Sequence, residues 1–292
     1  RVKCMKPLYK QQTELSEVYI QKKLIEFLHE DNADLDLTTQ FTLLNCTKQA
    51  TAQIIAEEEL VFAGATIIQN IFKEANIQSL ISNGKPCKTG DVLATIVGDT
   101  QLLLSRERVL LNLLQRLSGI ASLTNHYVEK INSQEIKILD TRKTTPGLRL
   151  FEKHAVTIGG GYNHRLDLYD GVMFKDNHLT ITTNLNNSLK QLKKIHANKN
   201  VQIEVDTPEQ LQALFSNMSI QADAVLLDNM LPEEVIKCSQ FIRSNFPQCF
   251  IEVSGGITLD NLLNYRNIDI DGISIGAITH QAVSKNIKFE FK

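Results

Sequence analysis

The second half of the chain repeats one pattern, in which a short apolar segment passes into polar residues and a stretch with helical spacing follows. In chain order the segments read IKILDTRK, GVMFKDNH, VQIEVDTP, AVLLDNML, FIEVSGG and DGISIGAI. Strands that alternate with helices build parallel βαβ units. The pattern therefore restricts this half of the chain to an α/β fold around a parallel sheet.

A polar residue stands where each predicted strand gives way to a loop; these residues are Asp140, Lys175, Glu204, Asp228, Ser254 and Ser274. In a closed α/β barrel such strand ends share one rim, and the catalytic residues of barrel enzymes lie on that rim. An open doubly wound sheet also gathers them at one edge. The periodicity favours the barrel and leaves the open sheet as the alternative.

The first 100 residues or so have a different pattern, which predicts a mixed α+β segment with mainly antiparallel pairing. The predicted elements are a helix over 13–29, a strand over 50–57, a helix over 64–75 and strands separated by a turn over 77–97. A long helical connector over 104–130 follows, and Ser105 is its expected N-cap.

The composition limits the classes of function. The chain has 292 residues, 42% of them hydrophobic and 22% charged, and its formal net charge of -2 predicts no general attraction to nucleic acid. No apolar run approaches the roughly 20 residues of a membrane span, and the basic N-terminus lacks the apolar core of a secretory signal. The five cysteines have no spacing typical of a zinc site. We therefore expect a cytoplasmic protein with reduced thiols.

The densest group of candidate residues lies in DTRKTTPGLRLFEKHAV, where Thr141, Arg142 and Lys143 follow a predicted strand. A guanidinium can hold a carboxylate or a phosphate with two hydrogen bonds, and a lysine adds a movable charge. A solvated basic turn would explain an Arg-Lys pair by itself. A second basic cluster follows at once, so the pair predicts an anion site.

That second cluster is GGGYNHRLDLYDGVMFKDNHL, in which three glycines precede His164 and Arg165 and in which Lys175 ends the next strand. Glycines allow the backbone to approach a ligand closely. A lysine that points into a barrel mouth needs an anionic partner to keep its charge. These residues therefore extend the predicted anion site.

Two carboxylates, Glu204 and Asp228, end strands of their own. Placed among several cations, they suit either a divalent metal or the hydroxyls of a sugar. Structural salt bridges to the arginines are the alternative interpretation.

Two loops of small residues follow the last two predicted strands and precede helical stretches. They contain Ser254, Gly255 and Gly256 in the first loop and Ser274, Gly276 and Ala277 in the second. Free backbone N–H groups at a helix N-terminus can hold a phosphate, and phosphate sites after the late strands of a barrel are common. Tight turns without a ligand are the alternative.

Together these motifs, with LLDNM, IEVSGGI, ISIGAITH and ERVLLNLLQRLSGIAS, resemble the quinolinate phosphoribosyltransferases, also called carboxylating nicotinate-nucleotide pyrophosphorylases. The resemblance covers most of the chain. It implies an N-terminal α/β sandwich domain over 1–117, joined by a C-terminal strand within 284–292, and an incomplete α/β barrel of the seven-stranded type over 118–283. One departure is the acidic loop 31–36, where the family usually has glycines.

The resemblance also implies a reaction. Such an enzyme transfers the phosphoribosyl group of phosphoribosyl pyrophosphate to quinolinate with decarboxylation, which gives nicotinate mononucleotide, pyrophosphate and CO2 on the de novo route to NAD. Magnesium is the expected cofactor. The expected assembly is a homodimer in which each subunit completes the active site of the other.

The family's residue roles map onto this sequence position by position. The substrate carboxylates would be bound by Arg142, His164, Arg165, Lys175 and Arg108 of the partner subunit. Lys143 would meet the phosphoribosyl donor, Glu204 and Asp228 the ribose hydroxyls and the metal, and the two small-residue loops the 5′-phosphate. The residues expected to act in catalysis are Lys143, Lys175, Glu204 and Asp228.

Three other functions fit parts of the pattern. A phosphoribosyltransferase for nicotinate or another pyridine carboxylate is the nearest, although the number of basic residues favours a diacid. A barrel lyase or isomerase would use Lys175 as a Schiff base. A non-catalytic sensor would bind the nucleotide or the phosphoribosyl donor without releasing CO2.

Overall fold

The computed structural model describes residues 6–43, 49–175, 178, 181, 184–217 and 222–292. The chain forms two compact units. The first unit contains the segment that ends at Gln11, together with His126–Arg149 and Gly161–His280. The second contains Gln12–Asn125, Leu150–Gly160 and Gln281–Lys292.

The described strands, in chain order, are β1 (Gln49–Ala56), β2 (Leu60–Val61), β3 (Asn76–Leu80), β4 (Pro86–Cys87), β5 (Val92–Asp99), β6 (Lys137–Leu139), β7 (Val172–Phe174), β8 (Val201–Val205), β9 (Ala224–Asp228), β10 (Phe250–Ser254), β11 (Gly272–Ser274) and β12 (Ile287–Phe291). The described helices are α1 (Glu17–Glu30), α2 (Leu37–Thr42), α3 (Ala65–Ile71), α4 (Thr100–Ile131), α5 (Arg149–Ile158), α6 (Leu185–Ile195), α7 (Pro208–Asn217), α8 (Pro232–Asn245) and α9 (Ala277–His280).

The first unit is built on a parallel sheet of six strands in the order β6-β11-β10-β9-β8-β7. The first strand of the series, β6, pairs with the last, β11, and each of the strands β8, β9, β10 and β11 pairs with its predecessor. This is the order of a barrel, because a doubly wound sheet reverses direction at a switch point. A single parallel bridge between Leu139 and Tyr162 adds a seventh position beyond β6. The predicted incomplete α/β barrel is confirmed.

The side chains of this sheet alternate, because successive residues of a strand point to opposite faces. In β8, Ile203 and Val205 are fully buried on one face, whereas Gln202 and Glu204 point to the other. The same alternation separates Ile251 and Val253 from Glu252 in β10. One face thus forms the apolar core, and the other carries polar groups in the middle of buried strands.

The second unit is built on an antiparallel sheet in the order β12-β1-β5-β3. Its core includes Ile54 in β1 and Leu93 and Ile96 in β5, none of which is exposed to solvent. The antiparallel pairing predicted for the first part of the chain is confirmed. The C-terminal strand β12 pairs with β1, with Phe291 opposite Ala52.

Three details differ from the sequence predictions or sharpen them. The connector α4 begins at Thr100, so Ser105 lies inside the helix and its predicted N-cap role is wrong; instead, the Asp99 carboxylate accepts the N–H of Leu102 at 3.0 Å. Helix α3 ends at Ile71, short of the predicted limit. In the acidic loop, Asn32 adopts a left-handed conformation with φ of 49°, which asparagine tolerates in place of glycine.

Within the described part of the chain, no helix is both long and apolar enough to cross a membrane. Cys87, Cys238 and Cys249 are buried. Cys4 and Cys46 lie outside the described residues.

Candidate active site

A cavity of about 380 Å³ opens at the carboxyl ends of the strands in the first unit. This volume is in the range of small-molecule sites. The cavity is lined by Thr141, Arg142, Lys143, His164, Arg165, Met173, Lys175, Glu204, Leu226, Asp228, Glu252, Ser254 and Ser274. The fold thus brings together residues from seven separate segments, most of which the sequence had singled out.

The loop after β10 and the loop between β11 and α9 hold the small residues that were predicted to bind phosphate. Gly255 and Gly256 follow Ser254 with φ of 89° and 61°, a region that favours glycine. A Cβ on Gly255 would lie 2.2 Å from Asn229 Oδ1, and one on Gly276 would lie 2.9 Å from Lys143 Cδ. The glycines therefore permit close packing beside the cavity, and Ala277 begins α9.

The remaining predicted residue, Arg108, lies on α4 in the second unit. Its side chain is 60% exposed, and its guanidinium lies 3.8 Å from the Glu107 carboxylate. Arg108 is not among the residues that line the cavity of its own chain.

The turn after β6 presents the Arg-Lys pair. The hydroxyl of Thr141 accepts the N–H of Lys143 at 3.0 Å, and the hydroxyl of Thr279 donates to the Lys143 carbonyl at 2.7 Å. These bonds fix the backbone while the side chain of Lys143 stays exposed at the mouth of the cavity.

Asp140, which is fully buried, organises the second cluster. One carboxylate oxygen accepts the N–H of His164 at 2.9 Å, and the other accepts the side-chain amide of Asn163 at 2.7 Å. Both oxygens of this buried carboxylate therefore have hydrogen-bond donors. Asp140 therefore has a structural role and joins the two motifs.

Four side chains form a hydrogen-bonded group below the cavity, which we call the floor: Tyr9, His164, Gln202 and Glu252. The Nδ1 of His164 accepts the N–H of Arg165 at 2.7 Å, so the ring proton is assigned to Nε2. Nε2 lies 3.1 Å from Gln202 Oε1, and Gln202 Nε2 donates to Glu252 at 2.7 Å. Burial by itself would raise the pKa of Glu252, but its contacts with His164, Ser274 and Gln202 outweigh burial and lower it.

Gln202 and Glu252 were not predicted as site residues from the sequence. Each stands two residues before a predicted site residue, Gln202 before Glu204 and Glu252 before Ser254. Residues i and i+2 of a strand share a face, so polar residues at these positions belong to the same interior. That period of two was a signal available in the sequence.

Above the floor lies a charged group that we call the rim: Arg142, Lys143, Arg165, Lys175, Glu204 and Asp228. Within the described residues, no carboxylate lies at salt-bridge distance from Arg142, Lys143 or Arg165. The Nε of Arg142 is buried and has no hydrogen-bond partner there. Burial first, and then the charge of Arg142, lowers the pKa of Arg165. An anionic ligand would satisfy these donors, since buried polar groups are almost always paired.

The rim carboxylates are placed differently from one another. Glu204 forms an ion pair with Lys175, while Asp228 accepts the side-chain amide of Asn229 at 2.7 Å. Burial raises the pKa of Glu204, and the Asp228 charge adds to this effect, whereas Lys175 opposes it. Within the described ranges, no group of three or more His, Cys, Asp or Glu residues is arranged to hold a metal ion.

Comparison with known proteins identifies the family. The model of the quinolinate phosphoribosyl transferase N-terminal domain matches residues 36–118, and that of the C-terminal domain matches residues 120–290. The chain is 39% identical over 283 residues to a probable nicotinate-nucleotide pyrophosphorylase [carboxylating] of Bacillus subtilis, covering 94% of each protein. A nicotinate-nucleotide pyrophosphorylase [carboxylating] of Mycobacterium leprae is 34% identical over 260 residues, or 87% of this chain and 90% of the relative.

The solved structures agree with the sequence relatives. The nicotinate-nucleotide pyrophosphorylase from Francisella tularensis superimposes with a TM-score of 0.87 at 30% identity, and the match covers 97% of this chain and 99% of that structure. The likeness therefore extends over both units of the chain. On these matches, this chain belongs to the quinolinate phosphoribosyltransferase family.

Proposed function

We propose that this chain is a decarboxylating quinolinate phosphoribosyltransferase. It would use quinolinate and phosphoribosyl pyrophosphate to make nicotinate mononucleotide, pyrophosphate and CO2 for NAD biosynthesis. The observation that carries the proposal is the rim, where Arg142, Lys143 and Arg165 lack a carboxylate partner among the described residues. Such a site suits substrates that bring two carboxylates and several phosphates.

Quinolinate would be held by the buried side of the rim. Arg165 is 7% exposed and Arg142 has a buried, unpaired Nε, so both can bind a carboxylate away from water. His164 and Lys175 complete this half of the cavity. The exposed Lys143 would meet the pyrophosphate of the donor, and the loops at Ser254 and Ser274 would hold the 5′-phosphate.

In the proposed reaction the pyridine nitrogen attacks the anomeric carbon of the donor. A C–N bond forms as the C–O bond to pyrophosphate breaks, and positive charge develops on the ribose. Glu204 and Asp228 would stabilise that charge, and Lys143 the leaving group. Loss of CO2 leaves an electron pair at the ring carbon beside the quaternised nitrogen, and that carbon then takes a proton. No nucleophilic side chain is needed.

Magnesium fits this site only together with the donor. The rim offers two carboxylates, Glu204 and Asp228, and one of them is already paired with Lys175. Mg²⁺ commonly takes one or two carboxylates and completes its shell with phosphate oxygens and water. When bound, the ion would neutralise charge on the pyrophosphate.

The test is release of CO2 by the purified chain. We expect release that requires both quinolinate and phosphoribosyl pyrophosphate, with nicotinate mononucleotide formed in equal amount. Nicotinate offered in place of quinolinate should give little product, because one carboxylate leaves a rim arginine unpaired. Equal use of nicotinate would favour the rival transferase, and binding of the donor without CO2 release would favour a sensor.

The Schiff-base alternative is disfavoured by the ion pair between Lys175 and Glu204. An amine held in an ion pair is a poor nucleophile. Borohydride in the presence of a carbonyl substrate should therefore leave Lys175 unmodified.

We also propose a homodimer with shared sites, because Arg108 is exposed on α4 and does not line the cavity of its own chain. Mixing Arg108→Ala chains with Lys175→Ala chains should restore activity, since hybrid dimers regain one intact site. An absence of recovery would mean that each subunit is self-contained. A cytoplasmic location stays a prediction of the sequence.

A further inference from the structure

A short N-terminal segment, residues 8–11, bridges the open side of the incomplete barrel. The side-chain amide of Gln11 accepts the N–H of Asn163 at 2.7 Å and donates to its carbonyl at 3.1 Å. Gln11 thus pairs with the edge next to Tyr162 as a strand residue would. On the other side, the Asn200 amide donates to the Leu8 carbonyl just before β8.

Tyr9 points from this segment into the floor and is 7% exposed. Its hydroxyl donates to Gln202 Oε1 at 3.1 Å, and its ring centroid lies 4.8 Å from that of His164. A Cβ on Gly171 would lie 2.5 Å from the Tyr9 ring, so the ring requires glycine at that position. Burial first, and then the Glu252 charge, raises the pKa of Tyr9, which keeps its hydroxyl a donor.

The Tyr9 hydroxyl fixes the orientation of the Gln202 amide. Gln202 Oε1 accepts from Tyr9 and from His164 Nε2, while Gln202 Nε2 donates to Glu252. The carbonyl oxygen therefore uses both of its lone pairs, and a flipped amide would lose these bonds. The imidazole is held in one orientation and one tautomer as a result.

The position of Arg165 depends on two residues that Tyr9 contacts, His164 and Gly171. Its backbone N–H donates to His164 Nδ1 at 2.7 Å, and its Nη1 donates to the Gly171 carbonyl at 3.0 Å. Tyr9 therefore packs against both residues that hold Arg165 in place.

We infer that Tyr9 is a positioning residue for the dicarboxylate half of the site, acting through Gln202, His164 and Gly171 on Arg165. The assignment of Arg165 to a substrate carboxylate rests on the proposed function. The contacts that connect Tyr9 with Arg165 through His164, Gln202 and Gly171 do not depend on the proposed function.

Steady-state kinetics can test this role. Tyr9→Phe keeps the ring and removes the hydroxyl, and Gly171→Ala displaces the ring by a separate route. We expect either variant to raise the KM for quinolinate at least fivefold and to leave the KM for phosphoribosyl pyrophosphate within twofold. Tyr127→Phe is the matched control, because Tyr127 is equally buried in the same unit and does not line the cavity.

A second measurement does not depend on turnover. The ¹⁵N NMR shifts of the His164 imidazole, assigned with His164→Gln, report which ring nitrogen carries the proton. We expect the Nε2–H form in the wild type and a shift toward a tautomer mixture in Tyr9→Phe. Unchanged shifts together with an unchanged quinolinate KM would overturn the inference. If the wild type released no CO2, the proposed function would fail, and the NMR shifts would still decide the role of Tyr9.

Discussion

The floor and the rim of the cavity use polar side chains in opposite ways. In the floor, Gln202 and Glu252 are completely buried, and Gln202 bonds to protein groups at both ends of its amide. In the rim, Lys143 and Arg142 have donors that no described carboxylate takes up. Buried networks of this kind specify one arrangement of their side chains, whereas unpaired charged groups remain available to bind a ligand. We therefore expect substitutions in the floor to lower the stability of the fold, and substitutions in the rim to lower activity with little change in stability.

The largest expected effect comes from the rim variant Arg165→Ala. Removing one member of a buried charged contact costs about 4 kcal/mol, which corresponds to a loss of about 10³-fold in kcat/KM for quinolinate. Steady-state assays of CO2 release measure it. Arg266→Ala serves as the control, because Arg266 lies in the same unit, does not line the cavity, and donates from its side chain to the Asn132 carbonyl at 3.3 Å. Near-normal turnover of Arg165→Ala would remove the carboxylate assignment.

Glu252→Ala tests the floor through stability. The substitution leaves the Gln202 amide without its acceptor and opens a cavity, so the free energy of unfolding should fall by about 3 kcal/mol. Urea unfolding measures the change. Glu252→Gln, which keeps the size and one acceptor, should lose less than half as much.

The rim counterpart, Lys143→Ala, should change the free energy of unfolding by less than about 0.5 kcal/mol, because Lys143 is exposed. Its activity should nevertheless fall. If Lys143→Ala proved as unstable as Glu252→Ala, the distinction between floor and rim would be wrong.

The sequence predicted the rim much better than the floor. Residues such as Glu204 and Asp228 end apolar strands, and parallel strands bring their carboxyl ends together whatever the loops do. Gln202 could have been found from its spacing to Glu204. Tyr9 could not, because it lies 193 residues from its partner Gln202. Local patterns carry no information on which distant segment fills the open side of a barrel.

The exact ends of helices also could not be predicted from local sequence patterns alone. The α4 start was misplaced because Ser105 and Asp99 both suit an N-cap, and only the structure shows which one accepts an N–H from the helix. For the sheet, in contrast, the βα repeat favoured the barrel and left the open sheet as the alternative, and the pairing of β6 with β11, the first and last strands of the series, decides for the barrel.

A small gain in stability is expected from a substitution at Glu204, whose pKa is raised chiefly by burial. Because the folded pKa lies above the ordinary value of 4.5, the folded chain binds this proton more tightly than the unfolded chain does. The associated stability is present below that ordinary value and is lost as the pH rises through the folded pKa. Glu204→Gln mimics the protonated acid, so it should be more stable than the wild type at pH 7, and the difference should shrink towards pH 4.

The gain at pH 7 should be less than about 1 kcal/mol after screening by solvent, and loss of the pair with the 42% exposed Lys175 offsets only part of it. Urea unfolding at several pH values measures the trend. Glu58→Gln is a control of opposite sign, because Lys285 and Asn286 hold the pKa of Glu58 below its usual value. A Glu204→Gln chain that is less stable than the wild type at pH 7 would show that the rim pair stabilises the fold. The rim would then resemble the floor, because its charged side chains would stabilise the fold and would not remain available to bind the ligand.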